Sequence, residues 1–360
     1  MRPPILMPAF LGLVFASGLS AQHPTLGQVV IDLNKIGYPQ EACNWEEAAQ
    51  IEFLDSVELL VGFPIHSSPC NAQSQGQPQK RRVAVIDASG KILHTLDFDS
   101  GQKVRAGPEG HILLLTEKEF SILDSDFTAV QRLSWPKEAD PAQIPHWAWS
   151  AATTIELAPS RQGFVIRGPY PKNGVAYFNG NPVKLSSEVD SCSLDSAVTD
   201  SGFACLEMSA SAQLLVHRMN DDWHIESPLF QKREWFALPA FNRVLLLTNK
   251  FQLFQFTRPG NSEKVADLHW LAPVLGYPRT GYALTSSVTH RILVSSWGFL
   301  IPWSDISGIG GYDRVVVLDY SSGQIIFRKQ YGLGTEVVIS PGGHLLAVRE
   351  RNRLSVIDLR

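Results

Sequence analysis

The sequence predicts an all-β fold, a seven-bladed β-propeller, and three observations lead to this prediction. The 360 residues include 27 Gly, 23 Pro, 18 Phe and 9 Trp but 4 Met, a composition typical of turn-rich β proteins. Short apolar runs bounded by Gly, Asp and Ser turns recur about every 48 residues, the length of one four-stranded blade. The last repeat lacks one strand, and a β-branched run before the first repeat supplies it.

The repeat is clearest in two pairs of segments. Segment 107–115, a glycine turn followed by Ile-Leu-Leu-Leu, returns at 340–348, and both copies lead into a second apolar run that ends in Asp. One hairpin earlier, segment 83–93 returns at 315–326. The two pairs have nearly the same separation along the chain, which indicates that one structural unit is repeated.

Weaker copies of the unit fill the interval between these pairs. Each copy has an apolar residue in its second strand, and these residues are Leu60, Leu113, Phe164, Ala204, Leu245, Leu293 and Leu346. A single unit is a small twisted sheet with two apolar faces, so it needs a neighbour on each side. The units therefore predict a ring of sheets.

The two ends of the chain predict how the ring closes. Residues 354–359 form the third strand of the last unit, and the run 28–33 supplies its fourth strand. The N- and C-terminal strands then share one blade, which leaves no long unpaired edge. Six or eight blades remain as alternatives, because the fourth and fifth units are short and the sixth has an insertion.

The repeat resembles that of a known family. Residues 340–347 and 356–359 are similar to the middle strands of WD40-like and YVTN-like bacterial β-propeller repeats, and a weaker likeness extends over residues 48–360. Ile-Asp and Leu-Asp stand where eukaryotic WD40 repeats have Trp-Asp. The resemblance implies an interaction scaffold more often than an enzyme, and it transfers no binding residue, because such propellers share a fold and not a site.

The first 21 residues read as a secretory signal peptide. Arg2 precedes a short apolar stretch that ends in small residues. We expect cleavage near Ala21, with Ala16 or Gly18 as alternatives, and an apolar N-terminal strand is the other interpretation of this segment. The rest, 22–360, is then a single propeller domain in the periplasm or outside the cell. No later segment approaches the roughly 20 apolar residues of a membrane-spanning helix.

Four cysteines in an exported chain predict two disulfides, for which three connectivities are possible. Local pairing is the simplest, Cys43 with Cys70 and Cys192 with Cys205. The second pair flanks a predicted hairpin, so two neighbouring strands would bring the sulfur atoms close. Neither pair has the C-x-x-C spacing of a redox or zinc site, and no metal site is predicted.

Charge and motifs argue against several function classes. The formal charge of −4, from 31 basic and 35 acidic residues, lacks the basic face that nucleic acid requires. The glycine-rich segment 307–311 leads into a strand and not into the helix that a phosphate site needs. Asp124 and Asp126 are expected to bond their own turn backbone. The sequence predicts no cofactor and no catalytic residue.

Aromatic residues are the main binding candidates. Trp297, Phe299, Trp303 and Tyr312 lie in or beside the sixth-unit insertion. On one face of the ring they would form an aromatic surface for a carbohydrate or a partner protein. Packing within or between blades is the alternative interpretation of these rings.

The sequence therefore predicts an exported, monomeric binding or scaffolding propeller of unknown protein or carbohydrate ligand. The alternative is a propeller hydrolase or lyase whose site is assembled from blade loops at the channel mouth. Carboxylates grouped with a His or Arg at that mouth would favour the enzyme. A metal- or quinone-dependent oxidoreductase lacks supporting ligand spacing.

Overall fold

The computed structural model describes 28 strands and some of the connections between them. The described residues are 27–38, 50–65, 80–99, 101–116, 119–134, 154–157, 163–167, 175–178, 181–184, 196–199, 202–208, 213–218, 223–226, 235–240, 243–248, 250–257, 261–272, 275–284, 289–299 and 311–360. For residues 134, 154–240, 275–284, 297–299 and 311, the description covers the backbone alone. The predicted leader 1–21, Cys43, Cys70, Cys192 and Trp303 lie outside these ranges.

The described strands form seven four-stranded antiparallel sheets, six of which take their strands in chain order. Sheet 1 contains β2 (Gln50–Phe53), β3 (Glu58–Ile65), β4 (Lys80–Asp87) and β5 (Ile92–Asp99). Sheet 2 contains β6 (Lys103–Ala106), β7 (Ile112–Leu115), β8 (Glu119–Leu123) and β9 (Ala129–Ser134). Sheet 3 contains β10 (Thr154–Leu157), β11 (Gly163–Arg167), β12 (Val175–Phe178) and β13 (Asn181–Lys184).

The next three sheets follow the same plan. Sheet 4 contains β14 (Ser196–Thr199), β15 (Gly202–Met208), β16 (Gln213–Arg218) and β17 (Trp223–Glu226). Sheet 5 contains β18 (Trp235–Ala240), β19 (Arg243–Thr248), β20 (Gln252–Thr257) and β21 (Asn261–Asp267). Sheet 6 contains β22 (Leu275–Leu284), β23 (Arg291–Phe299), β24 (Gly311–Asp319) and β25 (Ile325–Gly332). Every residue that the sequence assigns to a second strand lies in the second strand of its sheet.

Sheet 7 joins the two ends of the chain. It contains β26 (Glu336–Ile339), β27 (Leu345–Glu350) and β28 (Arg353–Asp358), with β1 (Gln28–Asp32) paired antiparallel to β28. A short 3-10 helix, Leu33–Ile36, follows β1. Leu33 has no exposed surface, and its N–H donates to Asn352 O at 2.9 Å. The predicted pairing of segments 28–33 and 354–359 therefore matches the observed pairing.

Apolar side chains fill the spaces between sheets. Ile51 and Phe53 of sheet 1 pack with Ala347 and Val356 of sheet 7, while Leu60 on the other face of sheet 1 packs against sheet 2. Similar clusters join sheet 5 to sheet 6 and sheet 6 to sheet 7. Burial of both faces explains why the middle strands are continuous apolar runs, as in β3. Consecutive four-stranded sheets that cover one another in this way define a β-propeller.

The first strands of the sheets are the innermost ones. Contacts between sheets involve β2 with β26 and β6, and β14 with β10 and β18, which are first strands. Because each sheet is an antiparallel meander, its first strand begins at the end where its second strand finishes. We call this the loop end, since it carries the long connections 33–49, 66–79, 135–153, 185–195 and 300–310. The opposite end is the turn end.

The turn end is built from short turns held by aspartate. Thr128 N donates to Asp124 Oδ1 at 2.9 Å and to Asp126 Oδ1 at 2.8 Å, which confirms that these aspartates bond their own turn backbone. Asp87 and Asp319 occupy equivalent turns in sheets 1 and 6. Within the part of the chain that the structure describes, no helix is long and apolar enough to cross a membrane.

Candidate functional site

Charged side chains gather along the first strands of sheets 7, 1 and 2. In β2 and β6, half-buried residues alternate with buried ones. The polar side chains of each strand therefore lie on one face, away from the apolar core. Sheet 7 contributes residues from β26 and β27. We call the group the inner-strand cluster, and it consists of Gln50, Glu52, Arg81, Lys103, Arg105, Glu336 and Arg349.

Glu52 links sheet 1 to sheet 2 through both carboxylate oxygens. Arg105 Nε donates to Oε1 at 2.6 Å, and Ala106 N donates to Oε2 at 2.6 Å. The Glu52 side chain is 13% exposed and that of Arg105 is 36% exposed. A charge-assisted bond and a backbone bond on one carboxylate fix the separation of β2 and β6.

Glu336 makes the equivalent link between sheet 7 and sheet 1. Its Oε1 accepts from Ile51 N at 3.1 Å, and its Oε2 accepts from Arg349 Nε at 3.1 Å. Arg349 is buried and also donates through Nη1 to Tyr38 OH at 3.4 Å. Burial raises the pKa of Glu336, although the Arg349 charge works in the opposite direction.

Arg81 reaches the cluster from the third strand of sheet 1 by crossing a glycine. Its Nη2 donates to Gly62 O and to Gln50 Oε1, both at 3.3 Å. Gly62 stands opposite Gln50 in the β2–β3 ladder, and a Cβ at position 62 would lie 3.2 Å from Arg81 Nε. The missing side chain at position 62 therefore opens the path that brings a guanidinium to the innermost strand.

Burial and neighbouring charge also act on the basic residues of the cluster. Burial, followed by the nearby Arg105 charge, lowers the pKa of Lys103 to about 8. The same two causes, in the same order, lower the pKa of Arg81. Both effects indicate positive charge held close together and partly out of water.

Trp297, Phe299 and Tyr312, three of the four predicted aromatic residues, lie at the same end of sheet 6. Trp297 pairs with Asp313, and Phe299 pairs with Gly311, at the loop end of β23 and β24. Tyr312 is 2% exposed, and the Arg314 guanidinium lies 4.6 Å from the centre of its ring. Tyr312 thus packs inside the sheet stack. The binding role of the four aromatic residues stays a prediction.

Arg314 fixes the connection that enters sheet 6. Its Nη1 donates to Trp270 O at 2.8 Å and to Ala272 O at 2.6 Å, and its guanidinium lies 5.4 Å from the centre of a Trp270 ring. Two carbonyl acceptors and two aromatic rings hold this side chain in one position. Arg314 is therefore a structural support of the loop end.

Sequence reasoning missed the inner-strand cluster. One available signal was the alternation of polar and apolar residues in Gln-Ile-Glu-Phe at 50–53 and Lys-Val-Arg-Ala at 103–106, which differs from the continuous apolar second strands.

No metal centre emerges from the described ranges, where no three His, Cys, Asp or Glu side chains are grouped to hold an ion. Cys205 lies in β15, opposite Ser196, and the predicted disulfides remain predictions.

Comparison with known proteins gives only distant likenesses. No protein-family model matches the chain, and no curated protein matches its sequence. The crystal structure of BamB from Moraxella catarrhalis has 15% identity, covers 86% of this chain and 84% of that chain, and gives a TM-score of 0.39. Kluyveromyces lactis Hsv2p has 10% identity, with 83% and 91% coverage and a TM-score of 0.44. The computationally designed Ika8 protein has 10% identity, with 92% and 100% coverage and a TM-score of 0.46. Similarity this low assigns no function.

Proposed function

We propose that this chain is an exported, seven-bladed β-propeller that binds its ligand at the loop end. Each of the seven sheets is one blade, and β1 closes the ring by pairing with β28. The succession of sheets and the antiparallel register of Ile31 with Leu354 support this arrangement. Closure by a shared sheet accounts for the burial of Leu33 beneath the two terminal segments.

The observation that carries the proposal is the inner-strand cluster. Glu52, Arg105 and Glu336 stand on first strands and accept or donate bonds that cross from one sheet to the next, as in Glu52 to Ala106 N. Arg81 and Arg349 reach the cluster from β4 and β27. The longest connections of the chain border the same end. Polar groups preorganised on rigid strands beside variable loops are typical of ligand sites on β scaffolds.

A hydrolase or lyase is the second candidate, because Glu52 and Glu336 stand with arginines near the innermost strands. Both oxygens of each carboxylate already accept a hydrogen bond, from Arg105 and Ala106 N or from Arg349 and Ile51 N. A general acid or base must exchange a proton with substrate, which these bonds oppose. Binding is therefore the first proposal.

Export and disulfide bonding belong to the same proposal. Cleavage after the leader 1–21 would release a monomeric domain into the periplasm or the medium, where Cys43–Cys70 and Cys192–Cys205 would form. N-terminal sequencing of the exported chain tests the leader, and peptide mapping under non-reducing conditions tests the pairing. A mature chain that retains residues 1–21, or free thiols at Cys192 and Cys205, would reject these parts.

Ligand binding is tested with the mature chain on a glycan array and a panel of peptides. We expect binding that falls at least tenfold in an Arg81→Gln, Lys103→Gln double variant, the fold-change of one lost charge-assisted bond. The control is Lys91→Gln, a lysine in a turn-end connection of sheet 1. Equal loss in the control would reject the inner-strand cluster as the binding site. Turnover of a glycan or peptide that depends on Glu336 would favour the hydrolase or lyase.

A further inference from the structure

We propose that residues 27–38, which we call the clasp, are coupled through Arg349 to the junction of sheets 7 and 1. In this arrangement the bond from Ile51 N to Glu336 Oε1 weakens when Tyr38 leaves its place. The inference goes beyond the proposed binding function, because it concerns a conformational coupling within the chain and needs no ligand.

The clasp contacts two sheets at once. Its first part, β1, pairs with β28 at the outer edge of sheet 7. Its last residues lie against sheet 1, where Ile36 O accepts from Arg82 Nη1 at 3.4 Å. The ring of Tyr38 meets the Phe63 ring edge-on, with 5.3 Å between the ring centres. Apolar residues of the clasp also share one core cluster with residues of both sheets, so the clasp bridges the seam between them.

Arg349 joins the clasp to the first strand of sheet 7. Its Nη1 donates to Tyr38 OH at 3.4 Å and to Arg351 O at 3.2 Å, while its Nε donates to Glu336 Oε2 at 3.1 Å. Arg349 is 7% exposed and Tyr38 is 8% exposed. A guanidinium this buried has lost most of its hydration, so each remaining acceptor matters more than it would at the surface.

The clasp acts on Glu336 by excluding water as well as by direct contact with Arg349. With Tyr38 in place, the guanidinium is shielded from solvent and its attraction to the Glu336 carboxylate is strong. Release of Tyr38 removes one acceptor and admits water, so the ion pair weakens and the carboxylate is held less firmly. Glu336 Oε1 is the described acceptor of Ile51 N, at 3.1 Å. Release of the clasp should therefore loosen the link between sheet 7 and sheet 1.

A second link of the same kind supplies an internal control. Ala106 N donates to Glu52 Oε2 at 2.6 Å, so an amide on the first strand of sheet 2 is also held by a glutamate of the preceding sheet. The described bonds of Glu52 involve neither Tyr38 nor Arg349. A disturbance of the clasp should therefore reach the Ile51 amide and not the Ala106 amide.

The test is amide hydrogen exchange of the mature chain, measured by NMR under conditions in which the rate follows the opening equilibrium. Tyr38→Phe removes the hydroxyl and keeps the ring against Phe63. We expect the Ile51 amide to exchange about threefold faster or more, the effect of one lost hydrogen bond, and the Ala106 amide to change less than about twofold. The control is Tyr331→Phe, because the buried Tyr331 hydroxyl has no hydrogen-bond partner in the described part of the chain. It should leave both amides unchanged.

A double-variant cycle tests the route through Arg349. Arg349→Gln removes the charge and should itself accelerate exchange at Ile51. In that background Tyr38→Phe should add little, because the group through which Tyr38 acts is already gone. Thermal melting of each variant verifies folding, and the comparison of Tyr38→Phe with its control does not depend on the Arg349→Gln chain.

Several results would overturn the coupling. Equal acceleration at Ile51 and Ala106 would indicate a general loss of stability. Unchanged exchange at Ile51 in Tyr38→Phe, the same acceleration in Tyr331→Phe, or a full effect of Tyr38→Phe in the Arg349→Gln background would also reject it. The proposed ligand binding is measured separately with glycans and peptides, so failure of the coupling leaves that proposal in place.

Discussion

The turns and the first strands of the sheets are organised by different kinds of contact. At the turn end, Asp87 accepts from the N–H of Ser89 at 2.9 Å, and Asp319 accepts from the N–H of Ser321 at 2.7 Å, each within its own turn. On the first strands, Glu52 accepts from Ala106 N, 54 residues away, and Glu336 accepts from Ile51 N, 285 residues away. The turn bonds stabilise individual hairpins, whereas the first-strand carboxylates connect one sheet to the next.

The difference between the two kinds of contact indicates how far the effect of a substitution should extend. Local aspartate turns satisfy their own polar groups, so they need no neighbouring sheet. The first-strand carboxylates are satisfied only when sheets 7, 1 and 2 are assembled. A substitution at the turn end should therefore act on one hairpin, while one at a first-strand carboxylate should act on the contact between sheets.

Deletion of residues 22–34 should have the largest effect, because it removes the contact of longest range. The deletion strips β1 from β28 and removes Ile31 and Leu33, which are 5% and 0% exposed. Loss of two such side chains lowers the free energy of unfolding by about 4 kcal/mol or more. Differential scanning calorimetry should record a large fall in Tm. The control deletion of 22–26 ends before β1, and equal melting of both deletions would reject closure.

Glu52→Ala should be next in size. It leaves Ala106 N and the partly buried Arg105 guanidinium without their acceptor, at a cost of about 2 kcal/mol. Urea unfolding measures the change. In an Arg105→Gln background the same substitution should cost less, since the charge is already gone. Purely additive losses would mean that the Glu52–Arg105 ion pair contributes nothing to the link between the sheets.

Asp87→Ala should cost about 1 kcal/mol, the net value of the turn bonds to Ser89 and Lys91. The hydrogen bond from the Ser89 hydroxyl lowers the pKa of Asp87. The contribution of the carboxylate is therefore complete above the ordinary pKa of aspartate and is lost as pH falls through the lowered value. Asp87→Asn should reduce this acid sensitivity, and unfolding curves from pH 2 to 6 measure it. An unchanged acid profile would contradict the assignment.

Lys103→Met should stabilise the chain slightly at neutral pH. Burial and the Arg105 charge lower the pKa of Lys103 to about 8, so the unfolded chain binds more protons above that pH. The penalty is complete below pH 8 and disappears as pH rises towards the ordinary lysine value. After allowance for solvent screening, the gain at pH 7 is about 1 kcal/mol or less. Unfolding at pH 7 and pH 10 tests this prediction. A stabilisation by Lys103→Met that grows with pH would contradict a lowered pKa of Lys103.

Sequence alone could predict the parts of the fold that are repeated or local. The second strands and the pairing of 28–33 with 354–359 follow from apolar runs that recur at one period, and the aspartate turns follow from residues within a few positions of one another. The inner-strand cluster could not be found in this way. Arg105 and Glu52 are 53 residues apart in sequence, and which first strands lie side by side is decided by the packing of whole sheets, which a single sequence does not contain. The aromatic residues of β23, in contrast, could be proposed as binding candidates from the sequence, because their residue type alone was the criterion.

The pairing of β1 with β28 sets the order in which this chain can fold during its synthesis. Gln28 of β1 is synthesised 327 residues before Ser355, whose hydroxyl oxygen accepts from Gln28 Nε2 at 2.9 Å. The apolar residues of β1 must stay without their partner strand while all the other sheets are made. Sheet 7 can therefore be completed only after β28 has been made and has paired with β1.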